Sequence, residues 1–285
     1  MEVKRPTTVE EQINILESRG CIIGDRDFAR SVLNKINYYR LTAYFLPFRN
    51  PDNTYNSDLT FEKVYSIYEF DRKLRGILFP IIEEIETMLR FQLAYHHAHE
   101  YGALGYLDSR NFKDKHNHVQ FMNHITHAIK SNEKQLFVKH HLENYDGKFP
   151  IWVIIELFSM GELSIFYSDM LVADKKVLAK EMYNVTDSHL SSWLISLTFL
   201  RNYCAHYSRL YFNTFPAIPK TPKDYEYRFF KKVFDYILLL KLLYRDIGNW
   251  TTSLFIPLQA LIDEYSTSIE FAHINFPDNW LELLK

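Results

Sequence analysis

Cysteine is scarce: only Cys21 and Cys204 occur, far apart and in different contexts, so a reducing cytoplasm is the simplest setting. The first residues, MEVKRPTT, lack the apolar run of a signal peptide. Long apolar stretches are also missing. Residues 151–160 and 233–244 are the most apolar, yet Glu156 and Lys241 interrupt them. Both fall short of the ~20 residues that cross a bilayer, so a soluble cytoplasmic protein with no membrane partner is expected. Eight glycines, few Gly-Pro turn clusters and no evenly spaced β-alternation argue for an all-α fold. Charge of one sign is not in excess either: at a formal −2, any polyanionic partner must be met by a local patch.

What is plentiful is apolar and aromatic: 47% and 16% of residues, enough for a sizeable core. Thr7 or Thr8 caps a first helix that Gly20 ends, and Asp25 opens a second with Phe28, Val32, Leu33 and Ile36 on one side. With the aromatic run 37–45 and a closing turn at Pro51-Asp52-Asn53, residues 1–55 read as an N-terminal helical appendage. Thr60 caps the longest helical pattern, which Pro80 should kink or divide. Helices at 119–129 and 135–144 follow, then a buried one from Pro150, punctuation at Gly161, and helices at 163–170 and 174–183. After Pro216, Pro219 and Pro222, Asp224 opens a strong helix through Leu243. A helical core over 56–248 and a C-terminal helix and tail over 249–285 complete the expected organisation.

Residues 191–213, SSWLISLTFLRNYCAHYSRLYFN, form the central element. At about 100° per residue, Trp193, Leu197, Leu200, Cys204, Tyr207 and Tyr211 share one side, and Asn202, His206, Arg209 and Asn213 the other. Asn202 and His206 are i,i+4 neighbours, and Arg201 projects from the flank. An imidazole, an amide and a fixed cation on one surface suit acid–base chemistry on an anion. A solvated helix face is the plainer explanation of such a stripe. Against it, the polar residues here are not the usual Glu/Lys mixture, and a helix flanked by so many aromatics is central and must satisfy its polar groups.

Glu86 and Arg90 are i,i+4 partners, a surface pair by default and support for Arg201 if their helix packs beside it. The many histidines, His124 and His127 among them, match no complete ligand set, so no metal is expected. Lys220, Lys223, Arg228, Lys231 and Lys232 are the best local candidates for phosphate contact, though a solvated loop and helix face explains such runs more often.

Arg201-Asn202-Tyr203-Cys204-Ala205-His206 resembles the R-x4-6-H motif, with a polar residue after the arginine, of the HEPN superfamily of helical ribonucleases. Further blocks, from Ile36-Asn37-Tyr38-Tyr39-Arg40-Leu41 and Tyr68-Glu69-Phe70-Asp71-Arg72-Lys73-Leu74-Arg75 through Pro150-Ile151-Trp152 to the Phe-Pro-Asp-Asn-Trp tail, resemble bacterial abortive-infection proteins of the AbiD/AbiF type, which act in phage defence. The resemblance implies a HEPN-like helical bundle and metal-independent RNA cleavage without a cofactor. In it His206 is the general acid or base, Arg201 stabilises charge on the phosphate, and Asn202 orients the imidazole or the phosphate by hydrogen bonding. Proteins of this kind pair two motifs across a dimer; one motif per chain therefore implies a symmetric homodimer. It also makes a bound small RNA plausible as a regulator. A catalytically silent RNA-binding module and a protein-interaction scaffold remain as alternatives.

Overall fold

The computed structural model describes residues 5–223 and 225–285, and within them the chain is all helix and irregular connection, with no strand beyond isolated β-bridges. Helix starts follow local chemistry. Thr8 opens α1 (Val9–Ser18) through a reciprocal capping box with Glu11, Asp25 accepts two backbone N–H groups at the start of α2 (Arg26–Leu33), and Asn37 caps α3 (Tyr38–Thr42). Gly20, at φ 91°, takes the left-handed turn that follows α1.

Thr60 caps α4 (Phe61–Tyr101), a 41-residue helix that passes through Pro80 without dividing. A proline removes one backbone donor and crowds the carbonyl four residues back. Here that carbonyl belongs to Gly76, and both positions are exposed. Solvent can therefore take the orphaned acceptor, and no side chain obstructs its tilt.

Next come α5 (His118–Ser131), α6 (Leu136–Asn144), α7 (Ile151–Ile154), α8 (Met160–Asp169), α9 (Val172–Tyr183) and α10 (Asp187–Ala205). Gly161 lies inside the first turn of α8, because Ser159 and Glu162 form a capping box that starts the helix before it. The later elements are α11 (Val233–Leu243), α12 (Ile247–Trp250), α13 (Ile256–Glu264), α14 (Phe271–Ile274) and α15 (Trp280–Leu284), with a π-helical turn at Thr251–Phe255 before α13. The helix start expected at Asp224 lies outside the described residues, and the helix itself begins only at Val233. Asp235 is buried and accepts from the Lys232 N–H at 2.8 Å and the Tyr227 hydroxyl at 2.9 Å, which fixes the start there.

The bundle is built around α10, which packs on α4, α8, α9 and α11. Leu190, Leu194, Leu197 and Leu200 are fully buried. Truncating any of them to alanine should cost about 2–5 kcal/mol. The N-terminal residues join the same apolar cluster through Ile13, Leu41, Phe45 and Phe48. No helix of the described residues is long and apolar enough to cross a membrane.

Candidate active site

The site lies where α10 stops. Apolar periodicity carried this helix to Asn213; the structure ends it at Ala205, with His206 as its C-cap. Tyr207 turns left-handed at φ 56°, its N–H reaching the Cys204 carbonyl at 3.2 Å and that of Ser208 the Tyr203 carbonyl at 2.8 Å. These are the paired bonds of a Schellman ending, a position usually given to glycine. A side chain there costs about 1–2 kcal/mol.

A buried ion pair on α4 secures this ending. Asp71 accepts the backbone N–H of Tyr211 at 2.8 Å and of Leu210 at 3.1 Å, together with the Tyr44 hydroxyl at 2.7 Å. Arg75 joins Asp71 at 2.5 Å and donates to the Ser208 carbonyl at 3.0 Å. Burial and the Asp71 carboxylate together push the Tyr44 hydroxyl far above its ordinary range, so it stays a donor. The sequence reading missed Asp71 and Arg75 as supports, although a signal was present. Asp71 stands on the apolar stripe of α4 with Val64, Ile67, Leu74 and Leu78, and a charge on a core-facing stripe needs a buried partner.

Because the helix stops, Arg209 and Asn213 do not continue the face of His206. Arg209 returns to its neighbourhood by another route. Its Nη1 donates to the Ala43 carbonyl, and its guanidinium lies 6.0 Å from the centre of the Tyr44 ring. His206 is exposed, and among the described residues its side chain makes no hydrogen bond. It lines a cleft with Asn37, Tyr39, Arg40 and Arg209. Asn202, one turn back, is likewise exposed.

Arg201 faces α4. Its Nε lies 3.4 Å from Glu86 Oε2, while Glu86 Oε1 accepts from Arg90 at 2.6 Å. The same Arg90 nitrogen donates to the Phe158 carbonyl at 2.7 Å. Glu86 is only 8% exposed, so the expected surface pair is a buried bridge at the α4–α10 contact. It engages Arg201 through Nε, and among the described residues neither Nη group makes a hydrogen bond. Arg201 and His206, five positions apart, are separated by about 140° around the helix axis and about 7.5 Å along it.

Of the five basic candidates, Lys220 is placed away from His206. Lys220 is moored to the N-terminal half of α10, its N–H to Ser192 Oγ at 3.0 Å and its carbonyl to Trp193 Nε1 at 2.8 Å. Trp193 is about 20 Å along α10 from His206. Lys223 and Arg228 are exposed, Lys231 is half-buried, and Lys232 lies 5.4 Å from the Phe212 ring. His124 and His127 are exposed on α5, and no three His, Cys, Asp or Glu side chains among the described residues cluster as a metal would need. Burial raises the Cys204 thiol to about 12, so it remains protonated behind the motif.

No curated protein and no solved structure matches the chain. A family model described as Abi-like protein matches residues 31–212, more than half of the sequence. The match runs from inside α2 to just beyond the turn after His206, taking in Arg40, Asp71, Glu86 and the whole of α10. The chain belongs to the Abi-like family of abortive-infection proteins.

Proposed function

We propose that this phage-defence protein is a metal-independent endoribonuclease of the HEPN, AbiD/AbiF type. The observation that carries the proposal is the presence, in the last turns of α10, of an exposed imidazole without a partner and, about 140° around the axis from it, a guanidinium engaged through Nε by a buried carboxylate. An RNA 2′-hydroxyl attacks the adjacent phosphorus as its proton passes to a base. The P–O5′ bond breaks as that oxygen receives a proton, leaving a 2′,3′-cyclic phosphate and a 5′-hydroxyl. His206 serves one of these proton transfers. Arg201 donates from Nη1 and Nη2 to the non-bridging oxygens, where charge accumulates. Asn202, on the exposed side with His206, donates to the phosphate or the imidazole.

In-line displacement needs a group at each of the two oxygens, and the chain offers one His206. A homodimer about a twofold axis supplies the second. What supports such a contact is an exposed aromatic patch beside Arg90, formed by Phe91, Tyr95 and Trp152, each more than half exposed. Covering such a patch is a common reason for association. Cleavage of single-stranded RNA in EDTA, with product ends analysed for cyclic phosphate, tests the chemistry. Substrate carrying a 2′-deoxyribose at the scissile position should resist cutting. Cutting that ignores the 2′-hydroxyl would refute the mechanism.

A further inference from the structure

The cleft of His206 has a second wall that the proposed chemistry does not use, and it comes from the N-terminal residues. Arg40 of α3 donates from Nη1 to the Tyr207 carbonyl at 2.6 Å, so its guanidinium is held across the cleft beside His206. It is exposed, and no carboxylate of the described residues pairs with it. From there the surface continues into an adjoining cleft of about 690 Å³ between α3, α4 and the end of α10, and neither cleft is lined by an acidic side chain. Of the other cations lining that second cleft, Arg72 and Arg75 are occupied by Glu69 and Asp71, and Lys35 is exposed and free of a carboxylate partner. Arg40 and Lys35 are therefore uncompensated cations along one groove.

Two tyrosines flank the same place: Tyr39 is 86% exposed and Tyr207 68% exposed. Exposed aromatics of this size gain nothing from packing. Tyr207 in addition occupies the left-handed position that glycine would fill without strain. Uncompensated cations interleaved with exposed rings are what single-stranded nucleic acid requires: charge for the backbone, π-faces for the bases.

We infer that Tyr39, Arg40 and Tyr207 form a single-stranded RNA track leading to His206, with a phosphate on Arg40 and bases stacked on the two tyrosine rings. The inference rests on the ribonuclease reading and adds to it where the substrate lies, on the N-terminal helices and not on the Lys220–Lys232 run.

The test is binding of a short single-stranded RNA, 2′-O-methylated throughout so that it cannot be cut, to the full chain and its variants, with thermal melting alongside. Tyr207→Gly should bind on the order of five- to a hundredfold more weakly, the loss of one stacked base, while its melting temperature stays level or rises. A tyrosine with a purely structural role would leave affinity unmoved. Tyr39→Ser should weaken binding with no change in melting. Arg40→Ala should make the salt dependence shallower, by about 0.7 in slope for the one phosphate that Arg40 neutralises. Full affinity in all three variants, or affinity that follows Lys220→Ala and Lys223→Ala instead, overturns the track and leaves the ribonuclease reading standing. A wild-type chain that neither binds this RNA nor cleaves unmodified RNA overturns both.

Discussion

Asp71 and Tyr211 are 140 positions apart in sequence, and the carboxylate of the first accepts the backbone N–H of the second at 2.8 Å. The carboxylate thereby fixes the path of the chain just after His206, and with Arg75 it closes the end of α10. The placement of His206, the proposed acid or base, and core stability are joined at one buried pair.

Removing that carboxylate should therefore be costly. Asp71→Ala leaves the Arg75 charge and two backbone N–H groups buried without their acceptor, and denaturant unfolding should report a loss of about 3–5 kcal/mol. Adding Arg75→Met removes the uncompensated charge, so the double variant should regain part of that loss. Additive losses in the pair would show that Asp71 and Arg75 do not act as a unit.

Within the motif, His206→Ala should lower cleavage by roughly 10²–10⁴ and Arg201→Ala by on the order of 10²–10³. His206 is exposed, so its replacement should leave unfolding unchanged. If the two residues only complete structural contacts, truncation will instead lower stability and spare the rate once folding is matched.

In the proposed ribonuclease, Glu86 is expected to act through Arg201 as a positioning residue. Glu86→Ala should reduce cleavage about 10–100-fold, since a misplacement near 1 Å is enough for such a loss. Glu86→Gln, which keeps one acceptor but sets its amide NH2 against the other arginine, should restore only part of it. Equal losses in the two variants would assign Glu86 a role in charge and not in position.

The acid limit of folding should trace to His97. This residue is fully buried among Tyr101, Phe112 and Phe166, with both ring nitrogens unpartnered, and burial lowers its pKa from 6.5 to about 4. Above pH 6.5 it is neutral folded or unfolded and costs nothing. As pH falls below that value the unfolded chain takes up a proton that the folded chain refuses. Stability should therefore decline between pH 6.5 and 4, by on the order of 3 kcal/mol at the lower end. His97→Phe should flatten that part of the curve; an unchanged decline would place the acid sensitivity elsewhere.

Local chemistry made much of the fold legible. Thr8, Asp25 and Thr60 cap the helices their side chains predict, and the eight glycines and missing β-alternation gave an all-helical chain. Errors arose where a distant partner overruled a local tendency. The strong period of α10 ran on to Asn213 in sequence, but Asp71 and Arg75 capture the backbone beyond His206 and stop the helix. Pro80 was expected to kink or divide its helix; it does not divide it, because it falls where Gly76 faces solvent.

For the site, the sequence by itself determined which residues stand one turn apart. Asn202 and His206 share an exposed side because 3.6 residues make a turn, whatever the rest of the chain does. Only the tertiary structure decided that Glu86 meets Arg201, that Arg209 returns beside His206, and that Arg40 and Tyr39 face it across a cleft. The contacts behind them, Glu86 with Arg201, Arg209 with Ala43 and Arg40 with Tyr207, join residues more than a hundred positions apart. Helical periodicity relates residues only within one helix, and which helices meet depends on how the whole set of apolar faces is buried together.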